Sequence, residues 1–117
     1  MNRARILGGL FFVAIAALGV AAYGVGADAD AHPSELFKQN CAKCHGENGK
    51  ADTTRGKNLK ARNFTDAEWQ ADVTDSQLIK SVTEGKGDDM PPWGKKLTPE
   101  QIQSLVKNDV RGFAPKK

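Results

Sequence analysis

Cys41-Ala42-Lys43-Cys44-His45 contains both cysteines of this 117-residue chain and one of its two histidines. A disulfide between thiols three positions apart would close too small a loop to staple a domain. The same spacing sets both thiols on one face of a helical turn, where each can form a thioether with one vinyl group of a porphyrin edge. His45 then falls beneath the ring with its imidazole toward the iron. This is the C-x-x-C-H pattern of covalent haem attachment. Structural zinc would want four protein ligands, and beyond these three residues the chain offers only a distant His32 in a linker. A thioredoxin-like redox pair would need a strand-rich surround. No stretch here alternates apolar and polar residues over a strand's length.

Past the first 27 residues, Met90 is the only methionine. It stands in Asp89-Met90-Pro91-Pro92-Trp93-Gly94, a rigid loop between two predicted helices. Methionine that merely fills a core lies at helical spacing, not in a Pro-Pro turn beside aspartates. Met90 is therefore the favoured sixth ligand of the iron. His32 is its competitor, and an open sixth position is the third possibility. A His45/Met90 pair raises the reduction potential and leaves no vacant site, which suits electron transfer better than binding of oxygen or peroxide.

The N-terminus differs in kind from the rest. Arg3 and Arg5 precede an uncharged run from Ile6 to Ala27, and all 14 acidic residues follow it. Basic front, apolar middle and small residues at the end make an export signal. Val25-Gly26-Ala27 and Ala27-Asp28-Ala29 both suit a signal peptidase. The run exceeds the roughly 7–15 residues of a signal's apolar region and could span a bilayer, which takes about 20. Residues 1–27 are expected to be a cleaved signal or an uncleaved membrane anchor. Residues 28–33 form a linker and 34–117 one domain outside the cytoplasm, periplasmic or otherwise exported. Without residues 1–27 the formal charge falls from +3 to +1, and no basic stripe supports nucleic-acid binding.

The expected fold is all-α, three to five short helices around one covalently attached haem. Pro33 suits the first turn of a helix on which Phe37, Cys41 and Cys44 share a face. Thr65 with Glu68, Thr74 with Gln77, and Thr98 with Gln101 each have the capping-box spacing. Leu78, Ile79 and Val82 make an apolar stripe behind Thr74 that Gly85 ends. Ile102, Leu105, Val106 and Val110 repeat the pattern behind Thr98. Gly46 to Asn63 and Gly85 to Lys96 read as loops. Loops that long in so small a domain call for an organising element.

From about Ser34 to Phe113 the chain resembles a small bacterial class I cytochrome c. The likeness rests on Leu36-Phe37-Lys38-Gln39-Asn40 before the attachment motif, Asn63-Phe64-Thr65-Asp66-Ala67-Glu68-Trp69, Met90-Pro91-Pro92-Trp93-Gly94, and Leu97-Thr98-Pro99-Glu100-Gln101-Ile102. It implies one haem c, with the first and last helices crossing. Two departures stand out. Where the family has a glycine packed on an aromatic of the last helix, this chain has Pro33 and Asn108, so Val110 and Phe113 are expected to build the crossing. No proline follows the motif before Asn63, so a carbonyl near Lys57 or Asn58 is expected to orient His45.

Phe37, Leu59, Phe64, Trp69, Leu78, Ile79, Trp93, Leu97 and Leu105 are candidates for the haem wall, which in so small a domain nearly coincides with the core. Arg55, Arg62, Trp69 and Trp93 are candidates to meet the propionates. Lys43, Lys57, Lys60, Lys86, Lys95 and Lys96 are candidates to steer acidic redox partners, although ordinary solvation accounts for them equally. No substrate pocket or spare acid–base pair is visible. The function expected is a one-electron carrier with transient redox partners, not an enzyme. The alternatives are a membrane-anchored subunit of a respiratory oxidoreductase, and a sensor or peroxidase-like protein with a labile sixth site.

Overall fold

A computed structural model describes residues 32–117. The expected signal or anchor, and the linker before His32, lie outside the described residues.

Helix α1, Glu35–Asn40, starts at Ser34, whose hydroxyl accepts from the Phe37 N–H. Pro33 lies one residue before this cap, not in the first turn as expected, because only Ser34 has an oxygen to offer that N–H. The chain kinks at Cys41 (φ −117) and continues as α2, Ala42–His45. The kink divides the expected single helix in two. Phe37 is buried in the core while both cysteines stay half-exposed.

Helix α3, Thr54–Leu59, lies where a loop was expected. Thr53 explains it: the hydroxyl accepts from the Gly56 N–H and donates to the Lys43 and Cys44 carbonyls, docking α3 on the end of α2. Gly56 permits this approach, since a Cβ there would overlap the Cys44 carbonyl oxygen. Gly56→Ala is expected to cost about 1–3 kcal/mol, the range of an overpacked interior site, although alanine is the better helix former. A thermal melt of the holoprotein checks this; an unchanged or raised Tm would mean that α3 is not held by the attachment helix.

Helix α4, Ala67–Asp72, is capped by Asp66, not by Thr65 as its spacing suggested. The Thr65 N–H and hydroxyl both bond the Asn63 side chain, so Asp66 supplies the oxygen that receives the Trp69 N–H. Helix α5, Asp75–Glu84, and helix α6, Pro99–Ser104, carry the full capping boxes expected at Thr74/Gln77 and Thr98/Gln101. A 3₁₀ turn, Trp93–Lys95, lies between them. Helix α6 widens into a π-helical segment, Leu105–Val110, and tightens into a 3₁₀ turn at Arg111–Phe113. No strand occurs among the described residues, where Lys86 and Met90 form an isolated antiparallel bridge. The all-α fold holds, with α3 added to the expected set.

Phe37, Phe64, Leu78, Leu105, Val106 and Val110 form the core. Each such side chain contributes about 1.5–3 kcal/mol when fully buried. Phe37 packs on Phe113 (ring centroids 5.2 Å apart), so the expected aromatic does serve the crossing of α1 with the last helix. A polar clamp accompanies it: both carboxylate oxygens of Asp109 accept from Ser34. Farther along, Arg111 ties that helix to α4 and α5 through Asp75, Gln70 and the Val73 carbonyl, and Gln70 Nε2 donates to the Phe64 and Val110 carbonyls. The Arg111–Asp75 pair is part-exposed and contributes little by itself. The satisfied backbone carbonyls matter more, since buried and orphaned they would each cost about 1–3 kcal/mol.

Candidate haem-binding site

One cavity of about 350 Å³ brings Cys41, Cys44, His45 and Met90 onto its walls. The volume falls within the roughly 300–1,000 Å³ of small-molecule and cofactor sites. Both thiols are free of disulfide bonding. Burial pushes the Cys41 thiol up to about 12, with the charges of Asp109 and then Cys44 adding to the effect. Cys41 is thus a neutral thiol near pH 7, unlike the low-pKa thiolate of a dithiol oxidoreductase.

His45 is oriented by a backbone carbonyl, but not the expected one. Its Nδ1 lies 3.0 Å from the Arg62 oxygen, well past Lys57 and Asn58. After α3 the chain turns at Lys60, in the left-handed conformation (φ 54), and the Ala61 N–H bonds back to Gly56. This reversal carries Arg62 over the imidazole. A carbonyl only accepts, so Nδ1 carries the proton and Nε2 keeps its lone pair for a metal. Burial lowers the His45 pKa, opposed by the Arg62 carbonyl, and so favours the neutral ring. Phe64 stacks on that ring (centroids 4.3 Å apart, planes at 16°) and restrains its rotation.

Met90 is presented by a short reverse turn. Lys86 and Met90 exchange backbone hydrogen bonds of 2.8 and 3.2 Å. Gly85 precedes them at φ 76, a conformation favouring glycine, and a Cβ there would press on the Met90 carbonyl. Pro91 and Trp93, beyond Met90, also line the cavity.

Of the wall candidates, Leu59, Phe64, Trp69, Leu78 and Trp93 line the cavity. Phe37 and Leu105 lie in the core, with Ile79 and Leu97 packed against it. Val73, Val82 and Val110 belong to the wall and were not singled out for it, because their inward direction depends on how α4, α5 and the last helix pack. Arg62, Lys60 and Lys86 reach the cavity, whereas Arg55, Lys43, Lys57, Lys95 and Lys96 do not line it. The Arg62 guanidinium lies over the Trp69 ring at 5.4 Å, and Lys96 over Trp93 at 5.3 Å. His32 is elsewhere: it bonds the Asp109 carbonyl and packs edge-on against Phe113.

The donor set fits haem c. Two free thiols at i and i+3 adjoin an imidazole with an available Nε2, a thioether sulfur shares their cavity, and the remaining wall is mostly apolar and aromatic. Among the described residues no group of three or more His, Cys, Asp or Glu is gathered to hold a metal ion. No described helix is long and apolar enough to cross a membrane, and the run Ile6–Ala27 lies outside those residues.

Comparison with known proteins converges on the same chemistry. The sequence profile of a family described as cytochrome c oxidase, cbb3-type, subunit III, matches residues 28–107. The cbb3-type cytochrome c oxidase subunit FixP of Azorhizobium caulinodans is 39% identical over 73 residues, 62% of this chain and 24% of that protein. Cytochrome c6 of Gloeothece citriformis is 40% identical over 78 residues, 62% of each chain. Among solved structures, the KustC0563 c-type cytochrome superposes with a TM-score of 0.64 at 45% identity, covering 68% of this chain and 94% of that one. The chain spans about a quarter of the length of the oxidase subunits it matches.

Proposed function

Because the chain belongs to the cytochrome c family described as cytochrome c oxidase, cbb3-type, subunit III, we propose that Cys41 and Cys44 carry its haem and that His45 and Met90 ligate the iron. The observation that carries this reading is the single cavity holding all four side chains, with His45 Nδ1 bonded to the Arg62 carbonyl. Haem c, when bound, supplies a ferrous–ferric couple at this site, and the protein is an electron-transfer haem protein.

The chain's own residues do the rest. Arg62 and Phe64 hold the imidazole in one tautomer and one plane. The Lys86–Met90 bridge fixes the backbone from which the Met90 side chain reaches the cavity. Leu78, Val82, Phe64 and Trp69 exclude water, keeping the local dielectric low and the reorganisation on electron transfer small. Residues 34–117 form the electron-transfer domain, residues 28–33 its linker, and residues 1–27 an export signal or membrane anchor that places it in the periplasm. The protein passes electrons to partners and is not itself a catalyst.

Membrane attachment is the second reading, supported by the Ile6–Ala27 run and by oxidase subunits among the relatives. In that form the domain would serve a membrane respiratory complex; as a free domain it would meet redox proteins in brief encounters. Visible spectra of both redox states, taken with the intact mass of purified protein, test the proposal. Low-spin His/Met bands and one covalent haem are expected, and the mass decides between a cleaved signal and an anchor. Carbon monoxide binding to the reduced protein at neutral pH would instead favour a sensor or peroxidase-like protein with a labile sixth site.

A further inference from the structure

Asp109 is a buried acid that neither haem attachment nor iron ligation uses. It is 1% exposed, on the π-helical segment between the core residues Val106 and Val110. Val110, the next residue, lines the haem cavity, and Cys41 packs against the same core cluster. Each carboxylate oxygen accepts a 2.7 Å hydrogen bond from Ser34, one from the backbone N–H and one from the hydroxyl. The hydroxyl in turn accepts from the Phe37 N–H, which directs its own proton toward Asp109. The guanidinium of Arg111, two residues on, is committed to Asp75, Gln70 and Val73.

A negative charge fixed in a low-dielectric wall acts over a longer range than one on the surface. Ferric iron carries one more positive charge than ferrous iron, so such a charge favours the ferric state and lowers the reduction potential. We propose that Asp109, tethered by Ser34, sets the reduction potential of this cytochrome by placing a carboxylate behind the cavity wall at Cys41 and Val110. The proposal rests on the haem reading above. The Asp109 charge also adds to the effect of burial in raising the Cys41 thiol pKa, in keeping with its place near the attachment site.

The competing explanation is structural: Asp109 merely joins α1 to the last helix. The two differ in the sign of a measurable quantity. Loosening that joint would admit water, which also favours the more highly charged ferric state and lowers the potential. Removing only the charge raises it. Redox titration of holoprotein carrying Asp109→Asn is therefore expected to show a rise equivalent to about a tenfold shift in the ferrous–ferric equilibrium, about 59 mV for one electron, with His/Met bands unchanged. Asp109→Ser, also uncharged but smaller, is expected to raise the potential in the same direction, against the effect of any water it admits. It decides the matter if Asp109→Asn does not take up haem. Intact haem bands with an unmoved or lowered potential in either variant would overturn this inference and leave the haem reading standing. Wild-type protein without haem bands would overturn both.

Discussion

Changing Cys41→Ala and Cys44→Ala together is expected to strip all covalent haem from the purified chain, so that its mass equals the polypeptide alone and no haem stain survives a denaturing gel. Either single change should leave one thioether and a haem that still co-migrates. The effect should extend to folding. An empty cavity of about 350 Å³ would cost up to roughly 8 kcal/mol at about 24 cal/mol per Å³. Because this cavity opens to water, that figure is a ceiling. It nevertheless compares with the whole stability of a small domain, about 5–15 kcal/mol. The doubly substituted chain should therefore melt roughly 20 °C or more below the holoprotein, or show no cooperative transition. A full haem mass retained on the double variant would refute attachment at these thiols.

Met90→Ala should have the second largest effect. Loss of the thioether leaves a position that water or carbon monoxide can take, and the potential should fall by on the order of 0.1 V or more within the roughly 0.8 V that axial ligands span. The change should leave the fold largely in place. Met90 is half-buried on a bridged turn and does not belong to the core of Phe37, Phe64, Leu78, Leu105, Val106 and Val110. Redox titration and carbon monoxide difference spectra read the outcome. Unchanged ligand-sensitive bands would remove Met90 from the iron and reopen the question of the sixth ligand. His32 is poorly placed to be that replacement, being packed on Phe113 away from the cavity.

These two tests address what was legible in the residues before any geometry. Thiols at i and i+3 followed by a histidine carry their own spacing requirement, and the lone methionine of a Pro-Pro loop stands out by its setting. The caps at Thr74 and Thr98 were equally legible, since a capping box uses side chains within one turn. Local chemistry of this kind needs no distant partner. Thr65 shows its limit: a neighbouring Asn63 took its hydroxyl, and the start of the helix moved to Asp66.

What the sequence determined by itself was the attachment motif at Cys41–His45, the single candidate thioether at Met90 and an all-α chain, because each depends on residue identity and short spacing. The tertiary structure alone decided how that motif is supported. Helix α3 has a glycine at its centre and no apolar stripe, so its formation depends on docking against the Cys44 carbonyl. The carbonyl that orients His45 belongs to Arg62, and a backbone oxygen has no side-chain signature to read. Asp109 looks like a surface acid on a helix until the fold brings Ser34, 75 positions away, against both of its oxygens. The motif names the cofactor through local bonds, whereas its orienting carbonyl and buried charge arise from contacts that only the folded chain brings together.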